Sequence, residues 1–189
     1  MGSQSNPGLV TRSGGQCLAD LAAVAKQAYH GEAVRWTVLA CATTVEAHVD
    51  RVVEALVDGS DVSTSRFGGA LLDEVRSTLS QSWDRRLGWL NRGFDVFITG
   101  TKETQEFLTL IDFRNAVVHG HMHLTDIQVV KLEAMIDLKR RLRTILDVHS
   151  VGRMLVAGDA TAMKAVRVSR AFVYFLDAAV VCRHPALRV

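Results

Sequence analysis

The sequence predicts an all-α protein, because apolar residues recur at helical spacing and no alternating strand pattern competes with them. The two prolines, Pro7 and Pro185, lie near the ends of the 189 residues and leave the interior free for long helices. With 48% hydrophobic residues, the chain is long enough for one domain with a proper core and short for two. We therefore expect a single helical domain over residues 15–189 and a flexible tail over residues 1–14.

Start and stop signals divide the chain into about six to seven helices. The predicted helices cover residues 16–29, 32–57, 67–80, 83–97, 101–120, 125–149 and 159–183. Thr101 and Asp159 are expected to cap the helices that they begin, and Thr125 with Gln128 forms a capping-box pattern. The last helix is apolar nearly all round, so it lies at the centre of the bundle or closes a subunit interface.

Composition narrows the class of protein. Cys17, Cys41 and Cys182 are far apart in apolar runs, which is typical of buried, reduced thiols in a cytoplasmic protein. The start of the chain is polar and rich in glycine and has no secretory signal. The apolar stretch 171–182 is interrupted by Asp177 and is too short to span a bilayer, so no membrane association is expected. The net charge of +2 neither demands nor excludes nucleic acid.

The most informative stretch runs from Asp112 to Gly120, at the end of the fifth predicted helix. Helical spacing puts Arg114 inside an apolar stripe, where a charge is costly unless a partner meets it. Asn115 and His119 are four residues apart and face one direction, and the long stem of Arg114 can bring its guanidinium toward the imidazole. A cation that grips phosphate, beside a group that carries a proton near neutral pH, indicates a phosphodiester site.

This stretch resembles the signature of the HEPN superfamily, which is an arginine, usually a polar residue next, and a histidine four to six residues after the arginine. Here Arg114 is followed by Asn115, by His119 after three apolar residues, and by Gly120. The resemblance is specific over about eight residues, suggestive over residues 83–120 and architectural elsewhere. It implies a bundle with an antiparallel core of four to five helices, and a homodimer in which two motifs face each other across a cleft.

The resemblance also implies an activity, which is metal-independent cleavage of single-stranded RNA without a cofactor. His119 would serve as acid or base, Arg114 as the phosphate clamp and Asn115 as an orienting donor. It further implies a toxin or antiviral defence effector, restrained by an antitoxin protein. The alternative is a non-catalytic scaffold or a nucleotide-binding or RNA-binding module, in which Arg114 forms a buried ion pair and His119 caps the helix. A DNA-binding regulator is disfavoured, because no recognition-helix pair with a tight glycine turn is evident.

Two further side chains are candidates to support the motif. Glu46 lies at the border of the apolar face of the second helix, where it pairs with Arg114 or is simply solvated. His121 follows the motif and alternates with His119 and His123. If that segment is extended, the three rings share a face and could act as metal ligands. Separately, His121 or His123 is a candidate for a second protonatable group near the catalytic cleft. Only Asp126 lies close enough to add an acidic ligand, and we expect no metal.

Basic residues suggest where RNA would lie. The densest run contains Lys139, Arg140 and Arg143, which form either a solvated helix face or a stripe that follows phosphates. Arg86, near Trp83, adds charge and stacking for single-stranded RNA, although tryptophan in a bundle more often belongs to the core.

Overall fold

The computed structural model describes residues 10–27, 33–60, 65–66, 68–70, 72–73 and 82–188. Its α-helices are α1 (Arg12–Gln27), α2 (Ala33–Asp58), α3 (Trp83–Phe94), α4 (Lys102–His119), α5 (Asp126–Val129), α6 (Leu132–Arg141) and α7 (Asp159–Arg183). A π-helical turn, Leu142–Leu146, continues α6, and a 3-10 turn, Pro185–Arg188, follows α7. Strands β1 (His149–Val151) and β2 (Met154–Val156) pair antiparallel. The all-α prediction is confirmed, while the predicted helix 67–80 lies largely outside the described residues.

The chain divides into two compact units, and each unit takes its residues from separate stretches. Unit 1 draws on Met1–Cys17, Val45–Gly100 and Val173–Val189, and unit 2 draws on Leu18–Thr44 and Thr101–Phe172. The helices α1, α2 and α7 therefore contribute residues to both units. The single domain over residues 15–189 stays a prediction. In the described part of the chain, no helix has the length and hydropathy needed to cross a membrane.

Threonine caps begin two helices of unit 2, as predicted. The hydroxyl of Thr101 accepts a hydrogen bond from the Thr104 N–H at 3.4 Å, which satisfies one of the free donors at the start of α4. Thr125 and Gln128 form the capping box at α5, in which each side chain bonds the backbone of the other residue. Phe107 and Phe172 stack at 4.5 Å in the core of this unit.

The predicted continuous helix 125–149 is wrong. Lys131 adopts an extended backbone between α5 and α6. Asp147 adopts a left-handed backbone with φ 60° after the π-helical turn, and the chain then enters the hairpin. Gly152, also at φ 60°, occupies the first central position of the two-residue hairpin turn, where a positive φ favours glycine. Each strand has only three residues, too few to show an alternating pattern.

The start of the chain also differs from the prediction. Residues 11–14 do not belong to a flexible tail, since α1 begins at Arg12 and the Asp177 carboxylate accepts hydrogen bonds from the Thr11 N–H (2.8 Å) and hydroxyl (3.0 Å). A Cβ at Gly14 would collide with that carboxylate, so only glycine fits there. Residues 1–9 lie outside the described part.

The cysteine prediction holds for two thiols and is wrong for the third. Cys17 and Cys41 are buried thiols, and burial raises the pKa of Cys41 to about 12. Cys182 is exposed, because it lies on the outer side of the last turn of α7. The apolar side chains of α7 are mostly buried by the chain itself, with Phe172 in unit 2 and Leu176 in unit 1 both fully buried. The choice between a central position and a subunit interface for α7 stays a prediction.

Candidate functional site

Helix α4 carries the three residues predicted to be catalytic. Arg114 and Asn115 are half-buried, and His119 is exposed in the last turn. The Arg114 Nη1 donates to the Asn115 Oδ1 at 3.2 Å, whereas the Arg114 Nε is buried and has no hydrogen-bond partner. Among the described residues of unit 2, no carboxylate pairs with Arg114. A buried arginine with a structural role normally pairs with a carboxylate, and the Arg114 guanidinium has no such partner in this unit.

Glu46, predicted to orient Arg114, belongs to unit 1. There its Oε1 accepts a hydrogen bond from the indole N–H of Trp83 at 3.1 Å. The described hydrogen bond of this carboxylate therefore goes to a tryptophan and not to a guanidinium. Its pairing with Arg114 stays a prediction.

Arg86, which was predicted to contact RNA, is buried in unit 1. Only 5% of the residue is exposed. Its Nε and Nη2 donate to the two Asp50 oxygens at 2.7 and 3.0 Å, and its guanidinium lies 5.3 Å from the centre of the Trp83 ring. Burial works against its charge, but the hydrogen bond and charge of Asp50, with the charge of Glu46, outweigh it and raise the pKa of Arg86. The prediction that Arg86 contacts RNA is wrong.

The three other predicted RNA contacts lie at the end of α6 and in the π-helical turn. Arg140 and Arg143 are exposed, and Lys139 is half-buried. Arg140 donates to the Asp137 Oδ1 at 2.6 Å, and hydrogen bonds from Arg140 and Arg141 hold the pKa of Asp137 below its usual range. Arg143 and Lys139 have no described acidic partner, so within this run they are the cations with most freedom to meet a phosphate.

Sequence reasoning missed an ion pair beside the motif. Arg141 donates from Nη1 to the Thr109 hydroxyl at 2.9 Å and lies 3.5 Å from the Asp112 Oδ2. Burial raises the pKa of the Asp112 carboxyl, and the charge of Arg141 opposes that effect in part. The Gln128 side-chain N–H donates to the Asp112 carbonyl at 2.8 Å, which attaches α5 to the motif helix.

This ion pair lies on the same side of α4 as two of the motif residues. Asp112 precedes Asn115 by three residues and His119 by seven, so the three share one helix face. The polar spacing Thr109, Asp112, Asn115 was readable in the sequence and marks this face. Arg141, the partner of Asp112, lies inside the basic run 139–143. The sequence pattern alone does not distinguish this cation from the others in the run.

The chain turns sharply after His119. A Cβ at Gly120 would collide with the His123 carbonyl, so only glycine permits the turn. His121 (φ 48°) and Met122 (φ 70°) both have left-handed backbones, so the extended segment that a metal site of three histidines would require does not form. The described residues hold no cluster of three or more His, Cys, Asp or Glu side chains suited to a metal.

The same turn creates one wall of a groove of about 740 Å³ in unit 2. The groove is lined by residues 34–36 of α2, residues 121–123 and residues 154–157 of the hairpin. The Leu155 N–H donates to the Met122 carbonyl at 2.7 Å, so the loop after the motif is fixed against β2. His121, predicted as a supporting residue, faces this groove.

A second polar network lies in the core of unit 1. His48 and Asp177 are fully buried, with 2.9 Å between the His48 Nε2 and the Asp177 Oδ1, and Thr11 saturates the other carboxylate oxygen. Two features of the sequence could have indicated this pair: a histidine on the apolar face of α2 and an aspartate that interrupts an apolar stretch. Because neither side chain reaches solvent, this network holds the unit together and offers no reactive surface.

The comparisons with known proteins provide no family for this chain: no family model matches it, and neither does any curated protein or solved structure.

Proposed function

We propose that this protein is a metal-independent endoribonuclease that cleaves single-stranded RNA as a homodimer in the cytoplasm. The observation that carries the proposal is the state of Arg114. The half-buried guanidinium has one described side-chain hydrogen bond, to the neutral Asn115, and no described carboxylate of unit 2 balances its charge. A phosphate group of RNA that contacts the guanidinium nitrogens other than the buried Nε would balance that charge.

The three motif residues divide the chemistry between them. The ribose 2′-hydroxyl loses its proton to one imidazole and attacks the phosphorus, and the bond from phosphorus to the 5′-oxygen breaks as another acid protonates that oxygen. The products are a 2′,3′-cyclic phosphate and a free 5′-hydroxyl. Arg114 stabilises the charge on the phosphorus oxygens, Asn115 holds the guanidinium through their 3.2 Å hydrogen bond, and His119 moves the proton.

The dimer follows from this need for two proton carriers. One protomer supplies a single motif histidine, and the second histidine comes from the same position in the partner, as the resemblance to HEPN proteins implies. His119 is exposed at the end of α4 and is thus accessible to a second copy. The same resemblance suggests the biological role of a toxin or defence effector under the control of an antitoxin protein.

A non-catalytic RNA-binding or nucleotide-binding module is the second candidate. The positions of Arg114 and His119 on α4 favour this candidate. The two residues are five positions apart, so their side chains leave the helix about 140° apart around its axis. In one protomer the two groups therefore diverge, and without a suitably placed partner they would bind an anion without cleaving it.

The test is cleavage of a labelled single-stranded RNA in the presence of a chelator. Wild type should generate 2′,3′-cyclic phosphate ends, and both Arg114→Ala and His119→Ala should lower the rate by about 10²-fold or more. Arg85→Ala and His149→Ala, which remove exposed side chains outside the site, are the matched controls and should cut normally.

The outcomes separate the candidates. Equal cutting by all variants would assign the activity to a contaminant. Binding of the RNA without cleavage by folded, dimeric wild type would support the non-catalytic module, and loss of activity when the chelator is present would contradict a metal-independent mechanism.

A further inference from the structure

The groove beside the motif presents an aromatic ring to solvent. Trp36, in the first turn of α2, is 73% exposed, although a tryptophan side chain normally buries most of its apolar area. The hairpin contributes Met154 and Val156, which are 43% and 47% exposed. An open indole beside two accessible apolar side chains is a surface on which a flat apolar group can stack.

The charge of the groove selects the kind of flat group. Arg35 is exposed next to Trp36, and His121 and His123 are exposed on the loop. None of the described residues that line the groove is acidic. Three side chains that are cationic or can become so, around an aromatic ring, suit a planar base attached to phosphates.

The backbone holds this arrangement in place. The Met122 N–H donates to the Ala116 carbonyl at 3.0 Å, and the Leu155 N–H donates to the Met122 carbonyl at 2.7 Å. These bonds fix the histidine loop to both α4 and β2. His121 follows His119 by only two residues, so the groove begins where the proposed cleavage site ends.

We infer that this groove binds one unpaired nucleotide of the RNA substrate next to the scissile phosphate. Trp36 stacks on the base, while Arg35 and the two loop histidines contact the adjoining phosphates. The volume of about 740 Å³ lies within the usual range of small-molecule sites, roughly 300–1,000 Å³. A paired base has both faces covered by its neighbours, so the groove selects single-stranded RNA. This inference rests on the proposed function and assigns a substrate subsite to it.

The test measures binding without cleavage. The probe is a fluorescein-labelled adenosine hexamer with a 2′-O-methyl group on every ribose, which lacks the attacking hydroxyl, and the readout is fluorescence anisotropy at fixed salt. Trp36→Ala should weaken binding about 5- to 150-fold, because stacking contributes about 1–3 kcal/mol per base. Trp36→Phe should retain most of the affinity, and Trp89→Phe, which changes a half-buried indole in unit 1, is the matched control.

A second probe isolates the base. An abasic hexamer of the same charge should bind wild type and Trp36→Ala equally, since it offers phosphates and no ring. Equal binding of the adenosine hexamer by wild type and Trp36→Ala would overturn the inference. So would a change from dimer to monomer in Trp36→Ala, because the groove would then be a subunit contact.

The two proposals fail in different ways. If wild type binds the hexamer through Trp36 and does not cut unmodified RNA, the nucleotide site stands and the nuclease proposal fails. If wild type cuts RNA and Trp36→Ala binds the hexamer normally, the nuclease proposal stands and the nucleotide site fails.

Discussion

Two arginines, one in each unit, show opposite solutions to the same problem. Arg86 in unit 1 is buried, and Asp50 meets it with two hydrogen bonds while Trp83 covers its face. Arg114 in unit 2 is half-buried, with one hydrogen bond to the neutral Asn115 and a buried Nε that has no partner. The first arginine is complete within the protein. The second retains the capacity to bind an anion, and this difference separates a structural cation from a candidate functional one.

The histidines follow the same division. His48 is fully buried against Asp177, while His119 is exposed at the end of α4. In unit 1 the His48 Nε2 pairs with a carboxylate, although the His48 Nδ1 is buried without a hydrogen-bond partner. In unit 2 the motif histidine has its side chain exposed. If this contrast in contacts is also a contrast in free energy, substitutions in the core of unit 1 should destabilise the protein more than substitutions in the motif of unit 2.

The largest effect is expected at the centre of unit 1. Asp177→Ala should lower the free energy of unfolding by about 3–5 kcal/mol, because it leaves the buried His48 and Thr11 without their acceptor. The measurement is urea denaturation followed by circular dichroism. Asp126→Ala removes a carboxylate from an exposed pair with Arg153 and should cost no more than about 1 kcal/mol. Similar losses for both variants would mean that burial does not distinguish the two carboxylates.

An intermediate effect is expected when the two arginines are compared directly. Arg86→Met should destabilise the protein by about 2 kcal/mol, because it removes two hydrogen bonds to the half-buried Asp50 carboxylate and leaves that carboxylate unpaired. Arg114→Met should change the free energy of unfolding by less than about 1 kcal/mol, because it removes an unsatisfied donor and leaves no described carboxylate unpaired. Thermal and urea unfolding of both variants decide the point. A larger loss for Arg114→Met would show that its guanidinium is structural.

The smallest effect concerns Asp112 and depends on pH. Burial raises the pKa of its carboxyl in the folded protein, so the unfolded chain releases this proton at lower pH than the folded chain does. The contribution of this carboxyl to the stability of the fold is fully present at pH values below the ordinary pKa of aspartate. It is lost as the pH rises through the raised pKa of the folded protein. Asp112→Asn should remove that loss, because its amide stays neutral and Arg141 keeps Thr109 and Asp137 as partners.

The measurement is the melting temperature of Asp112→Asn and of wild type from pH 3 to pH 7. As pH rises, the melting temperature of the variant should increase relative to that of wild type. The corresponding gain in the free energy of unfolding should be less than about 1 kcal/mol. A relative loss with rising pH would mean that the attraction of Arg141 for the Asp112 carboxylate exceeds the cost of burial.

Much of the fold could be predicted because it depends on local signals. The caps at Thr101 and Thr125 act within four residues, and the end of α7 falls at the predicted residue 183. The hairpin was missed because three-residue strands give no periodicity. The order of residues 11–14 was missed because it depends on Asp177, which is distant in sequence.

The candidate site was predictable in part for the same reason. Arg114, Asn115 and His119 belong to one helix, so their positions follow from helical geometry. The pairs of Arg86 with Asp50 and of Arg141 with Asp112 join different helices, and the sequence pattern does not identify such partners. Trp36 was not selected because one exposed aromatic residue in a helix carries no signal until the facing loop is known.

The Asp177 carboxylate has a consequence for synthesis of the chain on the ribosome. It lies 129 residues after His48 and 166 residues after Thr11, both of which it binds. Translation therefore exposes the imidazole and the threonine long before their acceptor exists. A nascent polypeptide that stalls before this aspartate cannot complete the core of unit 1. Its unfolded segments then remain available for binding by chaperones and cleavage by proteases.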